Sequence, residues 1–183
     1  GPREHSPHGS GPIDTFLGLL AVALLILANA FFVAVEFALV AIDRTRVELD
    51  AAEGHRGART TDEALRRLSF NLSGAQLGIT VTSLIVGFIA EPAIAEVLEP
   101  LVGSAVGEER ALAVSITIAL VLATSLQMVL GELVPKTLAI ARPVGTAYAL
   151  AGPMIVVGRV LGPLIRVLNG AANWAVRRVG IEP

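Results

Sequence analysis

Three almost uncharged stretches, residues 13–42, 72–90 and 111–133, set the terms for everything else in this chain. A helix rises about 1.5 Å per residue, so about 20 apolar residues cross a hydrocarbon layer about 30 Å thick. Each stretch is close to that length or beyond it, and the polar residues are gathered between them. A bilayer leaves no water for unpaired backbone groups, so each run must be helical.

The composition agrees. Charged residues make up 16% of the chain, against about 25% in soluble domains. There is no cysteine, which excludes disulfides and thiolate metal sites. His5, His8 and His55 all lie outside the apolar runs, which argues against a zinc or haem centre at membrane depth. No nucleophile–base pair, phosphate-binding glycine loop or basic nucleic-acid face is visible, so neither an enzyme nor a nucleic-acid binder is expected. Residues 1–11, opening Gly-Pro without Met, read as a protease-trimmed or disordered terminus. The fold is taken to occupy residues 12–183.

The expected fold is an all-α membrane protein with three transmembrane helices. Between the first two, residues 43–69 read as a juxtamembrane helical hairpin, with helices at 45–52 and 61–68 about a turn at Glu53–Gly57. Glu91-Pro92 is expected to break or kink the second span, leaving 91–110 as a turn-containing connection. Pro135 and Lys136 are expected to end the third. Beyond it, Arg159, Arg166, Asn173 and Arg177 recur at helical spacing, which suggests a C-terminal amphipathic, interfacial helix rather than a fourth span. Lys and Arg gather in 43–69 and after 135, whereas Arg110 stands alone in 91–110. The positive-inside rule then places the N-terminus outside and the hairpin and C-terminus in the cytoplasm, across an inner (cell) membrane of bacterial type.

Polar groups inside such runs are costly and mark candidate sites. Gln76, Thr80 and Ser83, with Gly87 a turn on, follow a four-three-four spacing that puts them on one helix face. Glu36 lies in the first run, on the face shared with Asn29. Glu132 ends the third, just before Pro135, where freed carbonyls beside a carboxylate would suit a hard cation. Asn29, Asn71 and Ser73 are further oxygen donors. Each has a plainer reading. Ser and Thr commonly bond their own helix, Glu132 can pair with Lys136 at i,i+4, and Glu36 can snorkel to Arg44 or Lys136. Gly74 and Gly78 form a small-xxx-small pair that permits close helix approach.

FFVAVEFALV at 31–40, SGAQLGITVTSL at 73–84, Ala90-Glu91-Pro92 and GELVPKTLA at 131–139 resemble the transmembrane domain of the CorC/CNNM family, also called haemolysin-related membrane proteins. The likeness runs from about residue 13 to 180. It implies a homodimer of three-span subunits, and transport of Mg²⁺, generally export, coupled to Na⁺. By motif, Gly131 and Glu132 map to the family's ion site. Two departures stand out: Val33 replaces a common Ser, and Ala75-Gln76 replaces a common Asn pair. Gln76, Ser73 or Thr80 are expected to compensate. Relatives usually continue into cytoplasmic CBS domains, so the chain, stopping at Pro183, reads as an excised membrane domain. Two other functions fit the residues: transport of another cation such as a polyamine, suggested by the missing ligands and acidic outer loop, and a non-transporting scaffold that dimerises through Gly74 and Gly78.

Overall fold

The computed structural model describes residues 12–178, and all the regular elements among them are helices. In order they are α1 (Pro12–Ala41), α2 (Arg44–Ala52), α3 (Arg56–Arg66), α4 (Leu68–Val106), α5 (Glu108–Leu126), a π-helical segment (Gln127–Leu133), α6 (Val134–Ala141), α7 (Pro143–Val160) and α8 (Gly162–Arg178). Three helical stretches are long and apolar enough to span a membrane: Ile13–Ala41, Leu68–Val106 and Arg110–Ala141.

Two boundaries differ from the sequence reading. The helix does not stop at Glu91-Pro92: α4 continues through Pro92 and Pro100 to Val106, and only Gly107, at φ 85°, turns the chain into α5. Nor does Pro135 end the third span. The chain changes to π-helical winding at Gln127 and resumes as α6, so the run continues to Ala141. A proline removes one donor from a helix, and local rewinding absorbs that loss at less cost than breaking the helix inside a bilayer.

The hairpin is built by local chemistry. Asp43 caps α2 by accepting from the Thr45 N–H at 2.9 Å. Gly54, at φ 97°, closes the turn, and His55 caps α3. Both helices sit close to their expected places, except that α3 starts earlier, at Arg56. Asn71 Nδ2 donates to the Ala64 carbonyl at 2.8 Å, tying the end of α3 to the start of α4. Tyr148 of α7 donates to Asp50 at 2.7 Å and packs on the His55 ring. Burial and the Asp50 hydrogen bond push its pKa up to about 12, so the phenol keeps its donor proton.

α1 packs along α4, which also packs against α5, while α7 lies across α1 and α3. One apolar cluster joins α1 to the hairpin and α7 through residues such as Val35, Ala38, Val47 and Met154. A second joins Val22, Ile26, Val86, Ala90 and Ala123 farther along the spans. Gly74 and Gly78 are buried within the chain itself. A Cβ on Gly74 would meet Met154 and Ile165, and one on Gly78 would meet the Phe32 ring at 2.6 Å. The pair therefore serves packing within the chain. α7 meets α8 at an 80° bend, where Pro163 has no N–H to continue the ladder.

Candidate functional site

A polar layer lies between the two apolar clusters, with Asn29 at its centre. The Asn29 side chain is fully buried near the middle of α1. Its Nδ2 donates to the carbonyl of Gly131 at 3.0 Å. In regular α winding the partner of that carbonyl would be the N–H of residue 135, and residue 135 is proline. The Asn29 amide supplies the donor that Pro135 lacks.

The Asn29 Oδ1 accepts from the hydroxyls of α4. Thr82 Oγ1 lies 2.7 Å away and Ser83 Oγ 3.1 Å. Thr82 Oγ1 also lies 2.8 Å from the Gly78 carbonyl and 3.2 Å from that of Ile79, so its single proton has three acceptors to choose between. Gln127, the first residue of the π-helical segment, donates from Nε2 to Ser83 Oγ at 3.3 Å. Its Oε1 is buried and has no hydrogen-bond partner among the described residues. Gly131 leaves room for that amide, since a Cβ there would meet it at 3.1 Å. All three spans thus contribute to one layer of neutral oxygens and amides. π-helical segments inside α-helices recur at functional sites, because they shift carbonyls out of the regular ladder.

Of the residues singled out from the sequence, Asn29 and Gly131 meet directly, and Ser83 joins them. Gln76 and Thr80 are exposed and stay outside the layer, and Thr80 bonds the Gln76 carbonyl of its own helix. Ser73 bonds the Ser69 carbonyl in the same way, and Asn71 serves the α3–α4 junction. The expected stripe is therefore split: Gln76 and Thr80 turn away while Ser83 reaches the layer, and the buried face of α4 runs through Gly74, Gly78, Thr82 and Val86. Glu132 is exposed on the single chain and Glu36 is half-buried; neither joins the layer. The Glu132–Lys136 and Glu36 ion pairs do not form among the described residues. Lys136 sits instead over the Phe37 ring, 4.6 Å from its centre.

Thr82 and Gln127 were not anticipated as site residues. Continuing the Gly74–Gly78 spacing by four reaches Thr82, and Gln127 stands one turn before Gly131, so both carried a readable signal. Among the described residues no three histidine or acidic side chains converge. Any cation held here would rest chiefly on neutral oxygens.

The family of the chain follows from comparison with known proteins. The family model described as the Cyclin M transmembrane N-terminal domain matches residues 19–183. UPF0053 protein MT1890 of Mycobacterium tuberculosis is 47% identical over 171 residues, 93% of this chain and 38% of its own length. Uncharacterized protein MT1889 of the same organism is 42% identical, with 93% and 49% covered. UPF0053 protein YrkA of Bacillus subtilis is 39% identical, with 92% and 39% covered. The chain thus spans less than half the length of each of these relatives. With its three apolar spans, it is a multi-pass membrane domain belonging to the CorC/CNNM family.

Proposed function

We propose that this domain moves Mg²⁺ across the membrane, in the direction of export and coupled to Na⁺, through the polar layer around Asn29. The observation that carries the reading is the Asn29–Gly131 bond at 3.0 Å, which joins the first span to a rewound third span at membrane depth. Mg²⁺ takes oxygen ligands in near-octahedral geometry and gives up water reluctantly. The layer offers oxygens of the right kind: Asn29 Oδ1, the unpartnered Gln127 Oε1, the Thr82 and Ser83 hydroxyls and the Gly131 carbonyl. Thr82 can turn its proton to the Gly78 carbonyl and present a lone pair inward with no bond left unmade. Ion entry then costs only a hydroxyl rotation at that position.

Val33 is buried, so the first span provides Asn29 in place of the missing serine oxygen. Glu132 and Glu36 are taken to supply negative charge along the path, and a second copy of the chain to cover exposed polar groups such as Gln76, Thr80 and Glu132. The Arg-rich hairpin and tail are placed in the cytoplasm of a bacterial-type inner membrane, with the N-terminus outside.

Mg²⁺ flux in liposomes reconstituted with the purified chain tests the reading. Wild-type flux should exceed that of Asn29→Ala and Glu132→Ala by about tenfold or more, equivalent to about 1.4 kcal/mol of barrier. Undiminished flux from a correctly folded Asn29→Ala protein would remove the polar layer from the transport path, and undiminished flux from Glu132→Ala would remove that carboxylate from it.

A further inference from the structure

A cavity of about 420 Å³, sharing no residue with the Asn29 layer, lies where α3, the start of α4, α7 and α8 meet. Arg67, Arg159 and Arg166 line it, with Glu63 the one acidic side chain. Three guanidinium charges against one carboxylate leave a net charge of +2. Among the described residues none of the three arginines has an ion-pair partner; Arg166 Nε donates to the Gly162 carbonyl at 3.2 Å. The floor is made of buried Gly158, Gly162 and Asn71. Backbone approaches closely here, because a Cβ on Gly158 would meet Phe70 at 3.2 Å. The bend between α7 and α8 opens the cavity, and the N-terminal end of α8 adds its partial positive charge.

The surroundings decide what fits. The same α7–α8 bend exposes Val160, Leu164, Val167 and Leu168 beside the arginines. A free anion would leave that apolar surface unused, and an acidic protein segment would meet it with charge. A ligand with a phosphate next to hydrocarbon chains satisfies both. Guanidinium groups bind phosphate through paired N–H donors, and basic pockets at the ends of membrane helices suit lipid headgroups.

We propose that this cavity binds the phosphate headgroup of an anionic phospholipid, with its acyl chains lying along the exposed face of α8. The proposal needs the membrane location of the domain but not the identity of the transported ion, so flux and lipid binding succeed or fail separately.

Native mass spectrometry of the detergent-solubilised chain, titrated with phosphatidylglycerol or phosphatidylcholine, tests it. Wild type should hold at least one phosphatidylglycerol at a concentration about tenfold below that needed for phosphatidylcholine. Arg159→Gln/Arg166→Gln should abolish that preference. Both arginines are exposed, and the melting temperature of the variant should stay at the wild-type value. Arg56→Gln/Arg142→Gln removes the same charge elsewhere and should keep the preference. Arg159→Lys/Arg166→Lys keeps the charge but loses the paired donors and should fall between, a comparison that survives if the Gln variant fails to fold. Equal loss in the two Gln variants would overturn the proposal, as would no loss in either. So would displacement of the lipid by millimolar inorganic phosphate, or by an acidic peptide with the same arginine dependence.

Discussion

Asn29 solves a local problem that Pro135 creates. A buried carbonyl without a donor costs about 1–3 kcal/mol, and in lipid no water can take the place of the missing partner. Asn29→Leu leaves the Gly131 carbonyl in that position. We expect a loss of about 1–3 kcal/mol in unfolding free energy, measured by denaturant titration in detergent. Thr82→Val should cost less, about 1 kcal/mol or below, because Ser83 still donates to the Asn29 Oδ1. A larger loss from Thr82→Val than from Asn29→Leu would contradict this order of importance. Glycine has an equally local role at Gly78, whose missing Cβ admits the Phe32 ring. Gly78→Ala should lower stability by about 1–3 kcal/mol through overpacking. Gly87→Ala, with open space around it, should be neutral or slightly stabilising.

At the scale of the element, the third span is governed by the pairing of a π-helical segment with the proline that follows it. Pro135→Ala restores an N–H at the position that would serve the Gly131 carbonyl. The helix should then relax towards regular α winding, and Asn29 would lose its acceptor. Mg²⁺ flux is expected to fall by about tenfold while thermal stability holds or rises, since a proline inside a helix costs about 3 kcal/mol relative to alanine. Undiminished flux in a folded Pro135→Ala protein would show that the π segment is incidental to transport. In α4 the two internal prolines do not break the helix. The stretch 91–110 is thus mostly an extension of the second span, and the connection itself is short.

At the scale of the molecule, side-chain hydrogen bonds fasten the hairpin to α4 and α7: Asn71 to Ala64, and Tyr148 to Asp50. Tyr148→Phe removes the second and should lower stability by about 1 kcal/mol, read as a lower melting temperature with unchanged helix content. An unchanged melting temperature would mean that packing of Tyr148 on His55 and Gly57 holds the hairpin without the hydrogen bond.

The all-helical class, the three stretches long and apolar enough to span, and the family were legible in the amino-acid order, because apolar length and motifs act over neighbouring residues. Of the residues that form the polar layer, Asn29 stood out as an amide in an apolar run, whereas Gly131 was picked out by its motif and not by its local chemistry. The facing of α4 was not legible. The 76–80–83 stripe and the 74–78–82 stripe are both helical faces, and local spacing does not say which one is buried. The choice fell to shape: Gly74 and Gly78 let Met154, Ile165 and Phe32 approach closely, which turned Thr82 inward and Gln76 and Thr80 outward. Likewise, only packing could show that Pro135 rewinds the helix instead of ending it, since the donor that makes this possible lies 102 residues away.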